Sequence, residues 1–268
     1  MKSFGVFETR LSRQSEQAQL EEKLRFFDAC ETVRRGVRDA GIGTLRERTL
    51  HAALKLYFEA DPKLHEQNVA GSVADIRNEY GLIEIQTVGL SRLRPKLERF
   101  LETTDDRIII VHPIAAEKRL LRLDGTTGEL SRPRKSPKKG SFLSAYRELY
   151  GLCGLIAEPR ISILLMLIDM DEYSLRVGPK KRHSSGLIRY ERIPTALRDF
   201  VLLRTAEDHA DLIPDDLPEA FTVKQFAASA KLTQYCAQSA ITVLSRVGAI
   251  TDAGRRGRAK LYRGVSEH

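Results

Sequence analysis

The sequence predicts an α/β fold, a mixed sheet flanked by helices, followed by a small C-terminal module of two helices and a β-hairpin. Three observations predict it. Short segments of strand-like alternation between residues 65 and 88 are bracketed by helix-like stretches. Two mostly apolar runs, 107–115 and 160–170, have the character of buried strands. After a Pro-rich acidic stretch at 214–220, the pattern changes to two short amphipathic helices and a basic turn. The expected organisation is a helical segment at 1–43, an α/β domain at 44–213, and a linker with the small module at 214–268.

The chain has 268 residues, 42% hydrophobic and 30% charged, so it can bury a core and global disorder is disfavoured. A net charge of +8 favours polyanionic partners. Cys30, Cys153 and Cys236 are few and far apart, which suits a reducing compartment and disfavours a structural zinc site. The first residues have no apolar core of the secretory type. No apolar run is long enough to span a bilayer. The chain therefore reads as soluble and cytoplasmic, with no membrane partner.

In order, residues 14–40 predict a helix with Leu20, Leu24, Phe27, Ala29 and Val33 on one face. Thr44 and Glu47 form a capping-box pattern for a second helix, which buries Leu50, Ala53, Leu54 and Tyr57. Segments 65–70, 72–77 and 82–88 predict three strands, with turns at Gly71 and Tyr80-Gly81. A basic helix at 91–102 follows, with Ser91 as its cap and Pro95 in its first turn. Residues 107–115 predict a buried strand, 119–124 and 129–132 a strand pair, 132–141 a basic loop, 142–156 an amphipathic helix and 160–170 another buried strand. A second basic stretch covers 175–194.

In the module at 221–265, Thr222 caps a short helix and Lys231-Leu-Thr makes a tight turn. A second helix then carries Cys236, Ala240, Val243, Leu244 and Val247 on its apolar face. Two strands flank the basic turn 254–258. This pattern resembles the winged helix-turn-helix. The resemblance implies that the second helix enters the major groove of DNA. Its polar positions Gln234, Gln238 and Thr242 either read base edges or form its solvated face. Arg255, Arg256, Arg258 and Lys260 would contact the backbone or the minor groove.

The α/β domain carries carboxylates in a telling pattern. Asp75 lies in the second strand, Glu84 and Gln86 two apart in the third, and Glu47 at the start of the preceding helix. Residues two apart in a strand share a face. Carboxylates converging at a sheet edge form an oxygen-rich site suited to Mg²⁺. Such an ion activates water and neutralises charge on a phosphodiester.

The stretch Val73-Ala74-Asp75-Ile76 … Ile83-Glu84-Ile85-Gln86 resembles the PD-(D/E)XK, or restriction-endonuclease-like, nuclease superfamily. The likeness lies within a helix–strand–strand–strand–helix–strand order over residues 44–115. Parts of 112–140, and residues 189–194, resemble an uncharacterised bacterial family associated with this core. The resemblance implies a restriction-endonuclease-like sheet, Asp75 and Glu84 as ligands of Mg²⁺ or Mn²⁺, and Glu47 as a further catalytic carboxylate. It implies DNA as the substrate. Ala74 stands where the pattern has Pro, and Gln86 where it has Lys. Gln86 can orient a water but brings no charge. Lys96 on the next helix is the candidate for that charge.

Arg132, Arg134, Lys135, Lys138 and Lys139 give the loop 132–141 a phosphate-clamp composition. Lys180, Lys181, Arg182, Arg189 and Arg192 form a second basic patch, where Tyr190 could stack on a base. Asp169, Asp171 and Glu172 read as an exposed strand end. His51, His65, His112 and His183 have no metal-binding spacing. No phosphate-loop, dinucleotide or serine-hydrolase motif is present, so no nucleotide cofactor is expected. The expectation is a metal-dependent DNA endonuclease, for which a homodimer cutting both strands is a suitable state. Its rivals are a DNA-binding regulator that keeps the core as scaffold, and a protein-interaction subunit of a DNA-processing complex.

Overall fold

Glycines and alternating apolar residues between 65 and 85 produce a tight meander, and the sheet grows from it. The computed structural model describes residues 10–40, 49–125, 127–176 and 186–265, with side chains at all of these except 37–40, 189 and 190. The strands of the main sheet are β1 (His65–Val69), β2 (Ser72–Asn78), β3 (Gly81–Ile85), β4 (Ile108–Asp124), β5 (Arg134–Lys135), β6 (Ile161–Arg176) and β7 (Leu187–Leu203). Their order is β1-β2-β3-β4-β6-β7, with β5 on β4. β2 and β3 are antiparallel, with Ile76 opposite Ile83. β3 and β4 are parallel, with Glu84 opposite Ile110. The chain is thus α/β, with a large mixed sheet flanked by helices.

Local geometry fixes the meander. Ala70 and Gly71, with φ 50 and 79, close a two-residue hairpin between β1 and β2. Gly81 has φ 114, and a Cβ there would lie 2.3 Å from the carbonyl oxygen of Arg107. Only glycine lets β3 start so close to the chain entering β4.

The chain divides into two compact units built of interleaved segments. The first takes residues from 1–65, 113–140 and 166–200. It holds α1 (Glu16–Ala40) and α2 (Thr49–Phe58). Leu50, Ala53, Leu54 and Tyr57 are buried as expected. The expected face of α1 is corrected: Phe26, Ala29 and Cys30 are buried, while Leu20, Leu24 and Phe27 are about half exposed. The reason is a polar anchor that hydrophobic periodicity does not register. Glu22 is buried on the inner face, where it accepts a hydrogen bond from the Tyr57 hydroxyl and pairs with Arg25.

The second unit takes residues from 66–112, 141–165 and 201–268. It holds α3 (Arg94–Thr103), α4 (Tyr146–Leu149), α5 (Ala206–Ala210), α6 (Val223–Ser229) and α7 (Gln234–Arg246). It also holds a two-stranded antiparallel sheet of β8 (Ile250–Arg256) and β9 (Ala259–Gly264). Its buried residues include Ile76, Ile83, Leu97, Phe100, Ile110 and Tyr146.

Four further expectations are corrected. β4 runs unbroken through 116–118, because Glu117 and Lys118 are ion-paired side chains of a strand, not loop residues. The expected partner strand at 129–132 reduces to one bridge, Leu123 with Leu130, and the paired strand is β5 inside the basic loop. The helix at 142–156 is a short α-helix between 3-10 turns. The basic stretch 175–194 conceals the start of β7, a 17-residue strand. Its charges hid it, yet Arg192, Arg198 and Asp199 are paired with Glu172, Asp169 and Arg10. Among the described residues no helix is long and apolar enough to cross a membrane.

Candidate functional site

The β2–β3 ladder ends at Ile76 and Ile83, and the next pair outward is Asp75 and Glu84. There the side chains replace the backbone ladder. The Asp75 carboxylate accepts from the Ile85 N–H at 2.7 Å, and the Asp75 N–H donates to Glu84 Oε1 at 3.3 Å. Two carboxylates thus sit together where two strands part.

Glu84 is only 1% exposed, which is unusual for a carboxylate on an alternating strand. Its position against β4 accounts for this, since every residue of β3 is buried. α3 brings a compensating charge. Lys96 Nζ lies 2.6 Å from Glu84 Oε2 and over the ring of Phe100, one turn further along the helix. Burial pushes the Glu84 carboxyl up to about 7, the neighbouring Asp75 adds to this, and Lys96 opposes it. Burial and a like charge raise carboxyls at functional sites and in structural ion-pair networks alike, so the shift marks Asp75 and Glu84 as a candidate site.

The start of α3 is fixed from a distance. The expected cap, Ser91, does not act. The Glu148 carboxylate accepts from the N–H groups of Gly89 and Leu90 at 2.9 and 3.2 Å, ahead of the 3-10 turn that leads into α3. Glu148 is therefore a positioning residue for Lys96. A separation of 58 or 59 residues leaves no local signal for it in the sequence.

Gln86 lies one residue beyond the end of β3. Its side-chain amide donates to the Val88 carbonyl at 2.6 Å, and its own carbonyl lies 2.7 Å from the His112 ring. His112 is buried, in keeping with a packed residue. Glu47 lies outside the described residues, as do Lys180, Lys181, Arg182 and His183. The structure therefore brings together Asp75, Glu84 and Lys96. Among the described residues no group of three or more His, Cys, Asp or Glu side chains is placed to hold a metal ion. A pair of carboxylates still suits Mg²⁺, which keeps several waters and is held through one or two carboxylates plus substrate phosphates.

In the C-terminal module, Thr222 caps α6 in a capping box with Gln225, and Thr233 caps α7. Phe221 stacks on Phe226 and pairs with Tyr262 of β9. Gly257, with φ 60, opens the two-residue turn between β8 and β9. Arg255, Arg256 and Arg258 are exposed there, and Lys260 pairs with Asp252 at 3.0 Å. Gln234 and Gln238 of α7 face Lys224 and Lys260 across a concave surface of about 560 Å³.

In the first unit, Arg134, Lys135, Lys138 and Lys139 are exposed. The reading of Asp169, Asp171 and Glu172 as an exposed strand end is corrected. β6 continues past them, and they pair with Arg198, Arg119 and Arg192.

Residues 48–204 match the family described as "Domain of unknown function (DUF8091)". That span is more than half of the chain, which belongs to this family. It takes in Asp75, Glu84, Gln86 and Lys96, and ends before the C-terminal module. A protein of Treponema pallidum (strain Nichols), described as "Uncharacterized protein", is 31% identical over 229 residues, covering 83% of this chain and 87% of that one. No solved structure matches the chain.

Proposed function

We propose that this DUF8091 protein is a metal-dependent DNA endonuclease with a restriction-endonuclease-like core and a winged helix-turn-helix at its C-terminus. The observation that carries the reading is the convergence of Asp75, Glu84 and Lys96 at the parting of β2 and β3. The β1–β3 meander, followed by the parallel β3–β4 pair with α3 between them in sequence, supports the core. The helix pair followed by the basic hairpin supports the winged helix.

In this reading Asp75 and Glu84 hold Mg²⁺ or Mn²⁺, which when bound activates water and neutralises charge on the scissile phosphate. Lys96 leaves Glu84 for the phosphate and stabilises negative charge as it builds up there. Gln86 gives up its bond to Val88 and orients the attacking water. Arg255, Arg256 and Arg258 grip the duplex through phosphates, and Gln238 faces the bases.

A second reading has its own observation. Lys96 already neutralises Glu84 at 2.6 Å, and no third metal-ligating side chain joins the pair among the described residues. The protein is then a DNA-binding scaffold without cleavage. Incubating plasmid DNA with the full chain separates the two. Relaxation and linearisation that need Mg²⁺ or Mn²⁺ and stop with chelator support the nuclease. Salt-sensitive binding with intact plasmid at every metal concentration supports the scaffold.

A further inference from the structure

The basic loop between β4 and β6 is not used by the chemistry proposed above. Its construction points to a second contact with nucleic acid. Residues 132–140 contain five cationic side chains and no acidic one. A solvated loop of that charge would spread its charges apart, but this one is held at three places. β5 pairs with β4, so that Lys135 lies opposite Arg119 and Arg134 opposite Leu120. The Ser136 N–H donates to the Lys118 carbonyl, and the Gly140 N–H to the Ala115 carbonyl. At Gly140 a Cβ would lie 2.5 Å from that Ala115 oxygen, so the close approach requires glycine. Pro133 and Pro137 stiffen the span further.

The charges fall into two sets. Lys135 and Lys139 converge on one carboxylate, Glu117, at 3.7 and 3.0 Å. Two cations share one anion, so the cluster keeps a positive surplus. Both ammonium groups remain on the surface, with side chains 83% and 71% exposed. Arg132, Arg134 and Lys138 are exposed and make no ion pair with any described residue. Beneath the loop, Glu117, Arg119, Ser136 and Thr195 help to line a depression of about 380 Å³. Cations held on a fixed backbone in this way recognise a polyanion by its phosphate spacing rather than by its bases.

We propose that this loop is a track for the nucleic-acid backbone, separate from both the carboxylate pair and the C-terminal hairpin, with Arg134 and Lys138 on phosphates and Glu117 setting the strength of Lys135 and Lys139. It rests on the nucleic-acid reading above, but on binding alone and not on cleavage.

The test is binding of a labelled duplex by the full chain in chelator, followed across salt concentrations. Arg134→Ala with Lys138→Ala lowers the slope of log affinity against log salt by about 2, and weakens binding roughly tenfold to thirtyfold at physiological salt. Glu117→Gln tightens binding, because it releases two lysines from their internal anion. A purely structural loop would not produce that gain. Arg255→Ala with Arg258→Ala serves as the comparison. If that pair lowers the slope while the loop pair and Glu117→Gln leave it at the wild-type value, the track is overturned and the nucleic-acid reading survives. If the wild type shows no salt-dependent binding, both fall.

Discussion

Glu84→Gln is the substitution whose outcome the geometry constrains most tightly. The wild-type carboxyl is buried, lies beside Asp75 and is pushed up from its ordinary 4.5 to about 7. A carboxyl raised in the folded protein contributes stability that is complete below pH 4.5 and is lost as pH rises through 7. The difference of 2.5 pH units, at 1.36 kcal/mol each, gives a loss of about 3 kcal/mol by pH 8.5. Glutamine keeps the shape and an acceptor for the Asp75 N–H, and it never ionises. With a quarter of its side chain exposed, Lys96 can turn to water when Glu84 is replaced. Denaturant unfolding of both proteins at pH 5 and pH 8.5 is the assay. Because part of the span is already lost at pH 5, the stability of the variant relative to wild type should rise by about 2.5 kcal/mol between the two conditions. Parallel pH dependence, with the difference constant to about 0.5 kcal/mol, would refute the buried, unfavourably ionised Glu84.

Three other substitutions probe the frame around the site. Tyr146→Phe removes the hydroxyl 2.7 Å from the buried His209 Nδ1, and should destabilise by about 1–3 kcal/mol in thermal unfolding at pH 7.5. Burial pushes the His209 imidazole down to about 4, so its contribution is complete above pH 6.5 and is lost, by about 3 kcal/mol, as pH falls through 4. Replacing His209 by Gln should flatten the acid limb of the stability profile. Gly81→Ala forces a Cβ onto the Arg107 carbonyl at positive φ, and should cost roughly 3 kcal/mol or more, seen as a lowered unfolding midpoint or loss of folded protein.

The meander and its carboxylates were legible because glycine, turn residues and alternation are local signals. β1, β2 and β3 start within a residue of their expected positions, and Asp75 and Glu84 are neighbours as expected. Lys96 was legible because it lies on the first turn of a helix marked by Pro95. What escaped depended on pairing between distant residues. β7 was hidden because Arg192 and Arg198 look like solvated charge until Glu172 and Asp169 are seen beside them. The inner face of α1 was misread because Glu22 is satisfied by Tyr57, 35 residues away. The burial of Glu84 was missed for a related reason. β4 covers it and α3 supplies its counter-charge, and neither can be read from the alternation of a single strand.

Single-turnover cleavage of a short end-labelled duplex in Mn²⁺, by wild type and by Asp75→Ala, tests the central claim most directly. The account predicts cleavage by wild type and a loss of roughly a thousandfold or more in the variant, with duplex binding in chelator unchanged. Equal cleavage by the two proteins would place the chemistry elsewhere and contradict the carboxylate pair as its centre.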